Sequence, residues 1–198
     1  AGYPPNSIAV RIIIDPNYNA FVAGEQIIYV HSGLILNAES TEEIIGVMAH
    51  EIGHLKAGHV PRRDAAIADA NSANALAALA AIAVAAGGAT DAAAGVLIGG
   101  QDQVTRKLLQ TIRYDEAVAD EIGLSLLDKS GISANGLRDM MQRMAAQRAL
   151  PESHQSRYYQ THPNAAERLR IYQDHVGRRT GQTNPISDEI LALVDRLE

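Results

Sequence analysis

The chain contains no cysteine and no tryptophan, and only one phenylalanine among its 198 residues. Without cysteine there is no disulfide, no thiolate ligand and no cysteine nucleophile, so any metal must rest on His, Asp or Glu. Aromatics at 4%, set against abundant alanine, favour closely packed helices over a β-sandwich. Basic residues are in the minority, 17 against 23 acidic ones, for a net charge of −6. That balance argues against nucleic acid as a partner. No secretion signal is legible, since Ala1-Gly2-Tyr3-Pro4-Pro5 has neither a basic start nor an apolar core. A chain already trimmed of a leader would read the same.

Long apolar runs are missing as well. A spanning helix needs about 20 apolar residues. The most apolar stretch, Asn71 to Gly100, offers only Leu76 to Ala86 before Gly87-Gly88, and then the shorter Ala92 to Gly100. It reads as two short helices joined by a glycine-containing turn, a buried αα-hairpin. The functional alternative is a flap over a cleft, or a peripheral membrane contact through residues 72–100. The length suits a single domain of 198 residues able to bury a core. Its expected sections are residues 1–60, 61–103 and 104–198.

What the chain does have is His50-Glu51-Ile52-Gly53-His54. Two histidines four apart share one face of a helix and can converge on one metal ion. Glu51 lies about 100° further round, placed for a metal-bound water rather than for the metal. This is the H-E-x-x-H arrangement of zinc peptidases. Its context is helical. Ser40 has N-cap character, Glu42 and Glu43 put acids in the first turn, and Ile44, Ile45, Val47, Met48 and Ile52 supply a buried side. The helix is expected over Thr41 to Ala57, ended by Gly58 and Pro61. His59 falls on the far side from the ligand face and reads as a structural or supporting residue.

Before this helix, Ser7 to Ile14, Ala20 to Ala23 and Gln26 to Val30 read as short strands. A small sheet beside a metal helix suits an extended peptide, which can pair with an edge strand. After it, Pro61 to Ala70, Val104 to Ser130 and Ala134 to Arg148 read as helices, with Met140, Met141 and Met144 as core residues. Glu116 and Asp120 are four apart and share a helix face. Catalytic zinc sites take His₂Glu plus one open position, and a ligating imidazole usually gives its other N–H to a carboxylate. Glu116 as third ligand and Asp120 as that carboxylate would meet both needs. Further on, His162 precedes Pro163 and is held extended. A helix follows to about Val176, then a linker from Gly177 to Pro185 and a short terminal helix over Ser187 to Leu197.

H-E-x-G-H at His50 to His54, E-x-x-x-D at Glu116 to Asp120 and T-H-P-x-x-x-x-R at Thr161 to Arg168 occur in this order. Together they resemble the M48 family of metallopeptidases, the HtpX-like group and its soluble bacterial relatives. Asn19-Ala20-Phe21 looks like the family's substrate-side strand segment. The resemblance covers roughly Ile8 to Val176. It implies an α+β, mainly α, zincin-like fold with a small sheet before the active-site helix and a helical C-terminal lobe. It also implies one Zn²⁺ per chain on His50, His54 and Glu116, with Glu51 as acid/base and Asp120 behind the ligands. His162 and Arg168 match positions near the zinc, where they would bind substrate or oxyanion, and Asn19, Ala20 and Phe21 would hold the peptide. Periplasm or cell envelope, and unfolded or misassembled polypeptides as substrates, follow from the resemblance alone. Unlike the integral members, the chain is expected to form no clear transmembrane helix, and no helical-repeat domain is expected after its peptidase core.

The expected chemistry is metal-assisted peptide hydrolysis, with Glu51 moving the proton and His162 or Arg168 facing the oxyanion, ahead of Tyr158 and Tyr159. His162 could instead occupy the fourth metal position and hold the enzyme latent. The rival from another class is a non-catalytic, chaperone-like module with a structural zinc. Such sites usually close with four protein ligands, often thiolates, and Glu51 would then have no purpose. A metal hydrolase acting on something other than peptides is a third reading.

Overall fold

The computed structural model describes residue 4 and residues 7–24, 26–86 and 89–178. These fall into two compact units, one taking in the chain up to Gly58 and from Asp115 on, the other running from His59 to Tyr114. The terminal helix expected over Ser187 to Leu197 lies outside the described residues.

The first unit begins with a three-stranded sheet of β1 (Ala9–Ile13), β2 (Ala20–Ala23) and β3 (Ile27–His31), in the order β1-β3-β2. The β-branched runs form strands where expected. β2 and β3 pair antiparallel with Ala20 opposite Val30, whereas β1 lies parallel to β3 with Ala9 opposite Ile27. The central strand buries Ile28 and Val30, while β1 leaves Val10 and Ile12 exposed at the free edge. The loop between β1 and β2 is an Asx turn, with Asn17 N–H donating to Asp15 Oδ1 at 2.8 Å. It folds back on α1 (Ser32–Asn37), a short helix that the sequence did not signal. Gly33 is required there, because a Cβ would come within 2.1 Å of the Pro16 carbonyl oxygen.

α2 (Thr41–Lys56) occupies the expected span. The Ser40 hydroxyl accepts from Glu43 N–H at 3.2 Å, and the Glu43 carboxylate accepts from Glu39 N–H at 3.1 Å. This is a capping arrangement that fixes where the helix starts. Glu43 is itself buried and takes hydrogen bonds from Tyr18 Oη and Arg143. α2 packs on the sheet and on α5 (Asn135–Ala146), and α5 on α7 (Ala165–Arg178). Met140, Met141 and Met144 fill the core with Leu137, Tyr158 and Tyr172. α7 runs through Gly177 to Arg178, so the expected linker does not begin at Gly177.

α3 (His59–Ala86) and α4 (Thr90–Ser130) depart most from expectation. The first is one continuous helix of 28 residues and the second one of 41. Neither Asn71 nor the glycines at 95, 99 and 100 break them. Each glycine costs only about 1 kcal/mol relative to alanine, and their neighbours are the strongest helix formers. Within the second unit α3 and α4 lie side by side and antiparallel, Gly100 against Ala77, with a small cavity between Asp69, Ala70 and Lys107 further along. The stretch is not the buried hairpin expected: Leu76, Leu79, Ile82 and Ile98 are all more than 60% exposed.

Candidate metal centre

The second half of α2 carries His50, Glu51 and His54, all buried. Glu116 and Asp120 project from the part of α4 in the first unit, and they are buried too. The two helices meet at glycines. A Cβ on Gly53 would lie 2.4 Å from the Ala119 carbonyl oxygen, and one on Gly123 3.2 Å from Ala49 and His50 backbone atoms. The glycine inside H-E-x-G-H therefore sets how closely Glu116 approaches the histidines. The third contribution comes from the bend between α6 (Arg157–Thr161) and α7. His162 caps α6, and Asn164 turns the chain with φ of 65°, a conformation asparagine tolerates.

His50, His54, Glu116 and His162 each offer one ligand atom, and these atoms lie within 4.8 Å of one another. His50 Nε2 is 3.0 Å from His54 Nε2 and 3.3 Å from His162 Nδ1. His162 Nδ1 is 3.0 Å from Glu116 Oε2, and the two α2 imidazoles are 3.4 and 3.5 Å from the Glu116 oxygens. Tetrahedral N and O ligands about 2.0–2.1 Å from an ion such as zinc would be about 3.3–3.4 Å apart. The donor set thus has the size, the burial and the chemistry of a metal site.

Charge supports the same fit. Burial and Arg168 would lower the proton affinity of His50, but hydrogen bonds to Asp120 and Glu116 outweigh them and raise its pKa to about 9. The cluster draws positive charge to the place where a cation would supply it. Burial alone would raise Glu116, yet His162 and Arg168 hold it well below the usual carboxylate range.

Asp120 stands behind His50, 2.8 Å from Nδ1, which leaves Nε2 directed at the cluster. Arg168 grips Asp120 with both Nε and Nη2, at 2.8 and 2.7 Å, and reaches Glu116 Oε2 with Nη1 at 2.8 Å. Tyr172 Oη also donates to Asp120. Against the pull of burial, Arg168 and His50 bring Asp120 down to about 2. Arg168 was expected at the substrate or oxyanion, and the structure instead engages its guanidinium with two carboxylates. Tyr172 carried no motif. Its only signal is its position four residues after Arg168, on the same helix face.

Glu51 is in the same buried region, and its Oε1 has no hydrogen-bond donor among the described residues. Burial pushes its carboxyl up from the ordinary value, with His162 and His50 opposing. His162 Nε2 is 3.6 Å away. The His162 ring stacks on Tyr158, centroids 4.3 Å apart, and Tyr158 N–H is anchored to the Tyr18 carbonyl at 3.1 Å. Of the expected peptide-binding segment, Ala20 is buried on the edge strand β2, which packs against α2. Asn19 is buried with Oδ1 unpartnered among the described residues, and Phe21 stacks on Tyr29. His59 is buried at the start of α3 and is not among the four clustered ligands.

The family model described as Peptidase family M48 matches residues 1–175. The chain belongs to peptidase family M48. Metalloprotease LoiP of Escherichia coli is 30% identical over 182 residues, 88% of this chain and 64% of that protein. Metalloprotease YcaL of the same organism is 27% identical over 176 residues, 84% and 61% of the two chains. A Vibrio cholerae protein named "Putative beta-barrel assembly-enhancing protease" is 33% identical over 136 residues, 68% of this chain and 28% of its own length. The chain thus spans less than two thirds of the length of these relatives.

Proposed function

We propose that this M48 chain is a zinc-dependent endopeptidase whose metal site can be closed by its own histidine. The observation that carries the reading is the buried set of donors at tetrahedral spacing with an open carboxylate beside it. His50, His54 and Glu116 would hold one Zn²⁺ per chain, which when bound polarises a scissile carbonyl and acidifies a water. Glu51 takes the water's proton and passes it to the leaving amine, and its raised proton affinity suits both transfers. Asp120 fixes the His50 ring, and Arg168 and Tyr172 fix Asp120. The free edge of β2, with Asn19, Ala20 and Phe21, can receive an extended peptide by strand addition. Replacing Glu51 by Gln keeps zinc and abolishes turnover, and wild-type turnover in Glu51→Gln would refute the role.

The position of His162 favours a latent form. His162 Nδ1, 3.3 Å from His50 Nε2 and 3.0 Å from Glu116 Oε2, would supply a fourth ligand and so close the set in the manner of non-catalytic sites. Opening it requires His162 to swing away, loosening the stack on Tyr158. The expected result is that His162→Ala raises peptidase activity several-fold. A fall would make His162 a substrate or oxyanion group instead. The rival reading, a chaperone-like zinc module, is favoured by the closed set but leaves the buried Glu51 unexplained.

Polypeptides are the substrates that M48 membership supports. A place in the bacterial envelope, acting on misfolded or misassembled proteins, draws support from the Vibrio cholerae relative, whose name refers to β-barrel assembly. Transmembrane β-barrels belong to outer membranes.

A further inference from the structure

Two buried polar atoms at the site lack a hydrogen-bond partner among the described residues, and they are complementary. Tyr158 is fully buried, and its Oη is a donor without an acceptor. Glu51 Oε1 is an acceptor without a donor. Buried polar atoms left in this way are costly, and most are paired. One side chain adjoins both residues. The His162 ring stacks on Tyr158 with 25° between the planes, and its Nε2 lies 3.6 Å from Glu51 Oε1, too far for a hydrogen bond. Burial, and after it the charge of Glu51, hold the Tyr158 hydroxyl well above the ordinary phenol range, with Arg168 opposing. Glu116 acts on that hydroxyl less, and its own oxygens already face His162 and Arg168. Glu51 is therefore the open acceptor.

We propose that Tyr158 is a positioning residue for Glu51, its hydroxyl donating to the Glu51 carboxylate once the His162 ring has moved out and the site is open. This rests on the reading of Glu51 as the base and of His162 as the group that closes the site. Tyr158 is held well enough to serve. Its N–H is bonded to the Tyr18 carbonyl at 3.1 Å, its ring meets that of Tyr18 edge-on with centroids 6.1 Å apart, and Ser156 caps the short helix that carries it. His162 is the movable member. It sits at the end of that helix, where its side chain can change rotamer while its N–H stays on the Tyr158 carbonyl at 2.8 Å. In the closed form both orphan atoms go unsatisfied. In the open form one bond satisfies the two, and it offsets the stacking lost when the imidazole leaves. A donor on one oxygen also keeps the carboxylate in a single orientation for the water's proton. The two forms thus differ in whether Tyr158 and Glu51 meet the imidazole they share or each other. Phenylalanine would stack alike but could not donate.

The test is Tyr158→Phe, made in the wild type and in His162→Ala, on the zinc-loaded full chain. In the wild type the hydroxyl is unpaired, and removing an unpaired buried polar group is neutral or stabilising. Tm should therefore hold or rise. In His162→Ala, where the site is open, Tyr158→Phe should lower the maximal rate of casein cleavage about tenfold, as expected for one hydrogen bond to a charged group. The casein concentration giving half that rate should not change. A tyrosine that served packing alone would move Tm and leave the maximal rate. Equal maximal rates with and without the hydroxyl overturn the inference. So does a Tm lowered by several degrees when Tyr158→Phe is made in the wild type, since the hydroxyl would then be bonded in the closed form already. A zinc-loaded His162→Ala that cleaves no casein would instead overturn the underlying reading of the site, and this inference with it.

Discussion

Asp120 gathers three side chains, with His50 Nδ1, two nitrogens of Arg168 and the Tyr172 hydroxyl all directed at it. A carboxylate buried with that many donors is held in one orientation, and so is the imidazole it serves. Removing the tyrosine hydroxyl leaves the charge pairs in place but takes away one of the three groups directed at Asp120 Oδ1. Tyr172→Phe should therefore weaken zinc binding about 10-fold, at the low end of effects for such partners, while turnover at saturating zinc changes less than affinity. Competition against a chromophoric chelator measures it, and unchanged affinity would mean that Tyr172 serves packing alone. The spacing His50 to His54 and Glu116 to Asp120 was legible in the sequence because helical periodicity converts four residues into one shared face. The clamp was not. Arg168 and Tyr172 reach Asp120 from a helix 48 and 52 positions along the chain, and only the tertiary fold brings them there.

Among the elements, the crossing of α2 and α4 matters most for the site. In an ordinary helix Gly→Ala adds about 1 kcal/mol of stability through propensity. At Gly53 the added Cβ would meet the Ala119 backbone at 2.4 Å. Overpacking of this kind costs about 1–3 kcal/mol. Gly53→Ala is thus expected to lower Tm and to weaken zinc binding by pushing Glu116 off the histidines. A raised Tm with unchanged zinc affinity would show that the helices can part without consequence. The start of α2 was legible from Ser40 and Glu43, since capping is local chemistry. α1 was too short to show a period, and the parallel pairing of β1 with β3 depends on a crossover that no local signal encodes. In α3 and α4 the glycines suggested breaks that alanine-rich neighbours overrode.

For the whole molecule, family membership supports the proposal that the first unit's chemistry cleaves polypeptides, and the second unit presents apolar surface that the sequence led one to expect buried. Three motifs in order made the metal site legible before any coordinates. Exposure of the Ala-rich helices could not be read the same way, since alanine is compatible with either core or surface. The central claim is that a buried His, His, Glu site works through Glu51 and is restrained by His162. It is tested by measuring zinc content and casein cleavage side by side in four forms: wild type, Glu51→Gln, His162→Ala and the double variant. The account predicts zinc in all four, cleavage in the wild type, faster cleavage in His162→Ala, and none in either form lacking Glu51. Cleavage by Glu51→Gln at a comparable rate, or absence of zinc from the wild type, would contradict it.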